Sequence, residues 1–406
     1  MDTGDTAWLL MSTALVMIML PGLALFYGGL VRSKNVLSTI MHSFFGLALV
    51  SVVWVVVGFT LAFGPDVNGL GLIGGLDFVM FNGVGLEPSA SYATTVPFVL
   101  FAAFQLMFAA ITPALITGAF AERKRFRAFV LFTILWSIFI YSPLAHWVWS
   151  TDGWLFKLGA LDFAGGTVVH ISSGVSALIV ALIIGKRVTN GDRMEPHDVP
   201  MTVLGAGLLW FGWFGFNAGS AVAASGLAAS AFIVTNTAAA AATITWVLAS
   251  YLRGRKVSVV GAACGAVAGL VAVTPASGFV SVGGALIIGL VAGALCFSAT
   301  LLRERIKVDD ALDVFAVHGV GGTFGAIATG VFATAMVQPA YTGLLEGNAQ
   351  QLVNQLVAVG ATIAYAVVGT FVIVKVVDVV LGIRVNPESE EAGLDLSVHG
   401  EVAYQV

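Results

Sequence analysis

Two histidines lie well inside apolar stretches of the sequence, where an ionisable side chain is costly and needs a reason. His170 lies in the segment DFAGGTVVHISSG, and His318 lies in VDDALDVFAVHGVGG. An imidazole both donates and accepts hydrogen bonds and titrates near neutral pH, so it suits a pathway for a small weak base or a proton relay. Either histidine could instead be a hydrogen-bonded structural group. The presence of two, one in each half of the chain, favours a shared central pathway.

The other four histidines lie in polar segments or near the ends of apolar ones, and we expect them to be interfacial or capping residues. They are His42, His146, His197 and His399.

Asp162 stands eight residues before His170, at the entrance to the same apolar stretch. An aspartate in this place is typical of a helix N-cap, because its carboxylate accepts backbone N–H bonds and favours the positive end of the helix. It could also act as an anion that stabilises a cation near the pathway. The two roles are compatible, and both stay open.

A second group of side chains, mostly aromatic, could hold a small cation. The group comprises Phe104 and Phe108 at helical spacing, Trp149 at the end of an apolar stretch, Trp213 and Phe216 three residues apart, and Ser220. A ring face attracts a cation by about 0.5–2 kcal/mol, and a hydroxyl can accept its N–H bond. Aromatics in this pattern are equally consistent with packing or with a belt at the membrane surface.

The sequence carries no pattern typical of an enzyme. It has no phosphate-binding glycine loop, no paired catalytic carboxylates and no metal-ligand spacing, and its two cysteines, Cys264 and Cys296, lie in apolar runs. Buried small hydrophobes explain such cysteines well. We therefore expect no enzymatic activity, no cofactor, no metal and no nucleic-acid partner.

The composition shows which elements must position these side chains. Of the 406 residues, 58% are hydrophobic and only 10% are charged, and the mean hydropathy is +0.97. A soluble domain carries about 25% charged residues, so this chain has too few to cover a surface in water. Apolar stretches recur along its whole length, which excludes a soluble domain with a single anchor. The sequence predicts an all-α polytopic membrane protein.

Eleven apolar segments are long enough to cross a bilayer. They are residues 7–31, 40–63, 95–119, 127–148, 164–185, 200–222, 227–251, 257–276, 280–302, 312–335 and 353–381. The first follows an acidic N-terminus rather than a basic one, so we expect a spanning helix and not a cleaved leader. Residues 64–94 are predicted to form a long external loop. We predict a transmembrane channel domain of residues 1–381 and a cytoplasmic tail of residues 382–406.

Basic residues give this arrangement an orientation. Seventeen of the eighteen Lys and Arg residues, among them Arg193 and Arg255, fall on one side of the membrane, and Lys157 is the exception. The positive-inside rule makes that side cytoplasmic, with the N-terminus outside and the C-terminus inside. Glu122 and the bases that follow it are expected to be ordinary loop charges.

An odd number of spans permits two five-helix inverted repeats, of residues 7–185 and 200–335, plus an eleventh helix of residues 353–381. One echo supports the repeat. Asp162 precedes His170 in the fifth span, and Asp313 precedes His318 in the tenth. The spacings differ, at eight and five residues, so the echo alone does not establish the repeat.

Several long segments, in the same order along the whole chain, resemble the ammonium transporter family, which includes the yeast methylammonium permeases and the Rh proteins. They are PGLALFYGGLVRSKNVLS from Pro21, AFAERKRF from Ala119, DFAGGTVVHISSG from Asp162, WFGFNAGS from Trp213, VTPASGF from Val273, VDDALDVFAVHGVGG from Val308 and GLDLSVHGEVAY from Gly393.

The resemblance implies roles for the residues singled out above. Phe108, Trp149 and Ser220 resemble the family's external recruitment site for ammonium, and the pair Trp149 and Ser220 favours the bacterial Amt branch over the Rh branch. Phe108 and Phe216 resemble its stacked phenyl gate. Trp213 matches a further aromatic that lines the pore.

His170 and His318 resemble the twin histidines of the family's narrow pore, and Asp162 resembles its acid near the pathway. The resemblance also implies a homotrimer in the cytoplasmic membrane with one pore per subunit. It further implies that a trimeric PII-type signal protein plugs the cytoplasmic face, and that the tail from Ile383 to Val406 is regulatory.

The function expected from these observations is ammonium transport. Ammonium would be captured by ring faces and Ser220, lose a proton near the gate, and pass His170 and His318 as neutral ammonia, since a dehydrated charge is costly in an apolar pore. We favour net charge transfer. Two alternatives are an ion-coupled transporter of another small solute and an ammonium sensor that acts through a PII-type partner.

Overall fold

The computed structural model describes residues 1–189, 194–254 and 256–404. Within these residues, ten helices are long and apolar enough to cross a membrane, and one further apolar helix is shorter. In chain order, α1 to α11 are Thr3–Leu30, Ser33–Phe63, Phe98–Phe120, Phe126–Leu158, Gly166–Ile184, Val199–Ala221, Gly226–Leu252, Val259–Val273, Val282–Ile306, Phe315–Phe332 and Ala349–Leu381. The prediction of eleven membrane helices is confirmed. The orientation and the inverted repeat stay predictions, and Arg193 and Arg255 lie outside the described residues.

The third helix begins later than the sequence suggested. Residues 93–97 form a short strand, β2 (Ala93–Pro97), which pairs antiparallel with β1 (Pro88–Ser89). The stretch Thr94-Thr95-Val96 is β-branched, which favours a strand. Pro97 then restricts the residue before it to extended backbone. The helix therefore starts only at Phe98, after the external loop has closed into this hairpin.

The helices that carry His170 and His318 cross at a point where glycine is required. A Cβ atom on Gly174 of α5 would collide with the backbone of Gly319 in α10. Because neither residue has a side chain, the two backbones approach closely. Gly174 lies one turn after His170, and Gly319 follows His318 directly, so this crossing sets the separation of the two imidazoles.

Both histidines also lie in π-helical turns. The turn Gly166–Ile171 opens α5 and the turn Phe315–Gly319 opens α10. Such turns are rare and occur frequently at functional sites. A wider turn changes the direction of the side chains within it, which a regular helical projection of the sequence does not anticipate.

Three charges that follow α3 are buried, so the prediction of ordinary loop charges is wrong for them. Glu122, Arg123 and Lys124 are at most 2% exposed. The Glu122 carboxylate accepts hydrogen bonds from the backbone N–H and the guanidinium of Arg32, and Arg187 lies 3.5 Å away. The cost of burying these charges is offset by pairing and hydrogen bonds. These contacts join α1, α3 and α5 at the ends that carry the positively charged loops.

Lys124 is buried without an ion pair among the described residues. Its Nζ lies 3.9 Å and 3.8 Å from the ring centroids of Phe120 and Phe132. Burial lowers the pKa of the Lys124 ammonium well below its usual range. The aromatic faces are what stabilises the remaining positive charge at this position.

The tail packs against the helix bundle. Its helix α12 (Pro387–Ala392) is followed by a turn in which the Asp395 carboxylate accepts the backbone N–H groups of Leu37 and Ser38. These N–H groups lie in the first turn of the regular helix in α2, where a carboxylate is favourable. Glu390 pairs with Arg384 at 2.9 Å. The tail is therefore held to the bundle by directed contacts.

Candidate functional site

His170 and His318 face each other inside the bundle. Their Nδ1 atoms are 3.2 Å apart, and their ring centroids are 5.2 Å apart with 29° between the planes. Both side chains are almost completely buried. The sequence predicted that the two histidines share one pathway, and the structure brings them into direct contact.

The contact restricts the protons on the two rings. A hydrogen bond between two Nδ1 atoms needs one donor and one acceptor, so in the neutral pair only one ring carries a proton on Nδ1. That ring has a bare Nε2, and the other ring has a protonated Nε2. The pair therefore offers one acceptor and one donor, and Nε2 of His170 is buried without a hydrogen-bond partner among the described residues.

Two acids hold the starts of the histidine-bearing helices. The Asp162 carboxylate accepts the backbone N–H groups of Gly165, Gly166 and Thr167, and also the Thr167 hydroxyl. This is the geometry of an N-cap. Burial raises the pKa of the Asp162 carboxyl, while these hydrogen bonds act to lower it.

The corresponding acid in the second half is Asp310 and not Asp313. Asp310 accepts the backbone N–H of Phe315 at 2.7 Å, at the start of the π-helical turn, whereas Asp313 pairs with Arg303. Asp310 precedes His318 by eight residues, the same spacing as between Asp162 and His170. The sequence pattern suggested Asp313 because both Asp310 and Asp313 lie before the same helix. With Asp310 in this role, the acid and the histidine are equally spaced in the two halves, which strengthens the predicted repeat.

Trp213 stacks on one face of the histidine pair. Its ring centroid lies 5.5 Å from that of His170, with 21° between the planes. The indole N–H donates to the Thr274 hydroxyl at 2.9 Å, and that hydroxyl donates in turn to the Leu270 carbonyl. A fixed indole keeps water and other side chains away from this side of the pair.

Phe108 and Phe216, the predicted gate, stack on each other next to the histidines. Their rings stack at 4.2 Å with 29° between the planes, and the Phe216 centroid lies 6.0 Å from that of His170. Phe104 packs against Phe108 at 4.9 Å. A mostly apolar cavity of about 10 Å³ lies beside the histidines, lined by Trp213 and Phe216 but not by Phe108, and it has room for about one molecule of the size of water.

A wider cavity lies on the other side of the phenyl pair. It has a volume of about 200 Å³, and Phe108, Trp149 and Ser220 all line it. The Trp149 ring meets the Phe108 ring edge to face at 5.9 Å, and its indole N–H donates to the Asp162 carbonyl at 3.0 Å. The three residues predicted for cation recruitment therefore share one vestibule.

The Ser220 hydroxyl is oriented to accept a hydrogen bond. It donates its own hydrogen to the Phe216 carbonyl at 2.8 Å. The lone pairs of its oxygen stay available to a ligand N–H. This hydrogen bond also links the predicted recruitment residue to the backbone of a predicted gate residue.

Several residues at the site were missed by sequence reasoning. Tyr92, Gln105 and Phe163 line the vestibule, and Thr274 holds Trp213. Gln105 lies three residues before Phe108 and thus on the same helical face, which was a usable signal. The others come from loops or helix ends, where no periodicity points to them.

Two of the four remaining histidines, His42 and His146, are buried. His146 lies 3.0 Å from the Ala62 carbonyl and 3.1 Å from the Asp66 carboxylate, and thereby joins the external loop to α4. No group of three or more metal-ligating side chains occurs in the part of the chain that the structure describes.

Comparisons with known proteins all point to one family. The model of the Ammonium Transporter Family matches residues 7–404. The ammonium transporter of Bacillus subtilis is 52% identical over 407 residues, which cover 100% of this chain and 99% of the relative. The ammonium transporter Amt1 of Archaeoglobus fulgidus is 49% identical over 405 residues, which cover 100% of both chains.

Solved structures give the same result for the fold. The crystal structure of Mep2 from Saccharomyces cerevisiae superposes with a TM-score of 0.89 at 38% identity, over 96% of this chain and 88% of the other. A structure described as a sensor Amt protein superposes with a TM-score of 0.89 at 32% identity, over 97% of this chain and 98% of the other.

Proposed function

Because this chain belongs to the ammonium transporter family, we propose that its ammonium transport proceeds by capture of ammonium in the vestibule, loss of a proton at the phenyl gate and passage of ammonia along the histidine pair. The protein is a multi-pass membrane protein and belongs to a transporter family, not an enzyme family.

Capture takes place where Phe108, Trp149 and Ser220 line the vestibule. Two ring faces attract a cation without supplying an oxygen cage of the size that potassium prefers. The Ser220 hydroxyl donates its own hydrogen to the Phe216 carbonyl, so its oxygen can only accept, and it takes one N–H bond from ammonium. A cation without N–H donors gains only the ring contribution, so the vestibule favours ammonium.

Deprotonation takes place at the stacked rings of Phe108 and Phe216. With their centroids 4.2 Å apart, the rings leave no hydrated passage, and a bare cation in so apolar a place costs several kcal/mol. Ammonium can avoid that cost by giving its proton to water in the vestibule and entering as ammonia, whereas potassium has no proton to give. This difference accounts for selectivity between ammonium and potassium, which carry the same charge.

Beyond the gate, ammonia meets one donor and one acceptor on the imidazole pair. Ammonia both accepts and donates hydrogen bonds, so the pair of Nε2 atoms matches it in either tautomer. The contact at 3.2 Å between the Nδ1 atoms is the single observation that carries the proposal. A chain of two hydrogen-bonded imidazoles can also relay the proton, which would make transport electrogenic.

The test is an ammonium pulse applied to proteoliposomes while current and internal pH are recorded. The proposal predicts a transient current with ammonium and none with potassium at the same concentration. Internal alkalinisation without current means that only ammonia crosses and overturns net charge transfer. A potassium current of equal size overturns deprotonation at the gate.

Assembly follows the family in this proposal. The protein forms a homotrimer with one pathway per subunit in the cytoplasmic membrane, also accepts methylammonium, and binds a PII-type signal protein at the face formed by its positively charged loops. Residues 1–381 form the channel domain and residues 382–406 the regulatory tail. The docking of the tail on α2 supports that division.

A sensing role is the second candidate, since a structure described as a sensor Amt protein superposes over almost the whole chain. A pure sensor needs ammonium binding at the vestibule but no conduction. Ammonium-dependent partner binding without uptake would favour sensing. A transporter of another solute requires a larger polar pocket than the cavity of about 10 Å³ beside the histidines.

A further inference from the structure

A groove opens on the outer surface of the bundle between α4 and α11, away from the pathway. It has a volume of about 400 Å³ and is lined almost entirely by apolar side chains. Among them are Leu135, Phe139, Tyr365, Gly369, Val372 and Val376. Phe139, Val372 and Val376 are each about half exposed. On a helix that crosses a membrane, such an exposed apolar surface faces lipid.

The groove is about as long as the hydrocarbon part of one leaflet is thick. Val376 and Tyr365 are eleven residues apart on α11, which is about 16 Å at 1.5 Å per residue. One leaflet contributes about 15 Å to the hydrocarbon core. The Tyr365 hydroxyl donates to the Phe139 carbonyl at 2.8 Å, which closes the groove at its deep end. The open end lies near Leu381, on the side of the positively charged loops.

Cations cluster at this open end. Arg125 and Arg127 both donate to the carbonyl of Leu381, the last residue of α11. Lys375 lies on the exposed face of α11, and its Nζ is 5.8 Å from the ring centroid of Phe371, towards the membrane interior. One acid, Asp378, lies on the same helix and accepts the backbone N–H of Ile383. The balance of charge around the opening is positive.

A lysine on a lipid-facing helix surface is stabilised when it meets an anionic headgroup. We propose that this groove binds one acyl chain of an anionic phospholipid from the adjacent leaflet, with the lipid phosphate held by Arg127 and by Lys375 after its flexible side chain turns from Phe371 towards the interface. The positive-inside rule predicts that this leaflet is the cytoplasmic one. The site does not depend on the conduction mechanism proposed above.

The test uses the full-length protein in phosphatidylcholine vesicles that contain a phosphatidylglycerol with a photoreactive group in mid-chain. After illumination, labelled peptides are mapped by mass spectrometry, with unlabelled phosphatidylglycerol or zwitterionic phosphatidylethanolamine as competitors. Labels are expected within residues 135–140 and 365–376. Phosphatidylglycerol should compete at a concentration about fivefold lower than that of the zwitterionic lipid, because one lysine near an anionic lipid surface contributes about 1 kcal/mol.

Two pairs of variants make the test specific. Lys375→Gln should remove the preference for phosphatidylglycerol, whereas Lys256→Gln, on another loop of the same side, should keep it. Val372→Trp should fill the groove and suppress labelling, whereas Leu356→Trp, equally exposed on the other half of α11, should not.

Three results would overturn the proposal. They are labels that map elsewhere, equal competition by the two lipids with the unmodified protein, and unchanged labelling of Val372→Trp. A second copy of the chain seated on this face would also exclude lipid and leave both segments unlabelled.

Discussion

The imidazoles of His170 and His318 meet through their Nδ1 atoms at 3.2 Å, although 148 residues separate them in the chain. Two features build this contact. The backbones of Gly174 and Gly319 touch where α5 crosses α10, and a buried aspartate holds the start of each π-helical turn. The pair is thus fixed by backbone geometry more than by its own hydrogen bond.

The crossing at Gly174 predicts a stability effect. Gly174→Ala should lower the free energy of unfolding by about 1–3 kcal/mol, because the added methyl group forces two packed backbones apart. Gly207→Ala on α6 is a matched control, since no atom lies within 4 Å of its added Cβ. Thermal unfolding in detergent measures both, and equal midpoints for the two variants would show that the crossing is not tight.

Ser220 should affect ammonium affinity more than maximum rate. Ser220→Ala removes the hydroxyl that accepts an N–H bond, and a hydrogen bond to a charged group contributes about 1.5–3 kcal/mol, so KM should rise about tenfold or more. Ser220→Thr keeps a hydroxyl and serves as the control. Initial rates of methylammonium uptake over a range of concentrations give both constants. An unchanged KM in Ser220→Ala would remove this residue from recruitment.

Much of the fold could be predicted from the sequence because membrane helices carry a strong signal. The number of helices follows from apolar length alone, and the contact of His170 with His318 was expected because buried histidines are rare. The vestibule was also anticipated, since Phe108, Trp149 and Ser220 do line one cavity.

Other features depend on tertiary contacts that leave little trace in the sequence. The choice of Asp313 instead of Asp310 failed because only the structure shows which carboxylate reaches the first turn of α10. Glu122 and Lys124 resembled loop charges, yet they are buried because helix ends and the tail fold over them. Charge alone does not reveal such burial.

The ion pair between Arg187 and Asp309 predicts a pH dependence of stability. Burial alone would raise the pKa of the Asp309 carboxyl, but hydrogen bonds and the charge of Arg187 outweigh burial and lower the pKa to about 2. A depressed carboxyl pKa contributes stability that is complete above the unfolded value of about 3.9 and is lost as pH falls towards 2.

Thermal midpoints between pH 6 and pH 2 test this pair. Asp309→Asn should lower the midpoint at pH 6 and flatten its decline between pH 4 and pH 2. Asp152→Asn, whose partner Lys157 lies 3.7 Å away on an exposed surface, should change little. A decline of unchanged slope in Asp309→Asn would assign the acid sensitivity to other carboxyl groups.

Asp395 should control docking of the tail. Asp395→Ala removes the acceptor of two N–H groups at the start of the regular helix in α2, and the loss of such a cap costs about 0.5–2 kcal/mol. The tail should then be cut several-fold faster by a dilute protease. Glu401→Ala, on the exposed end of the tail, is the control. Equal cleavage rates would mean that other contacts hold the tail.

The paired imidazoles are the centre of the proposed mechanism, and replacing each one singly tests it most directly. His170→Ala and His318→Ala each remove the partner of the Nδ1 contact and leave the vestibule and the gate unchanged. Methylammonium uptake is measured in cells that depend on ammonium import at low pH, with membrane abundance and thermal midpoint as checks on folding. Uptake at least tenfold lower in both variants is the predicted result, and normal uptake in both would contradict a role for the pair in conduction.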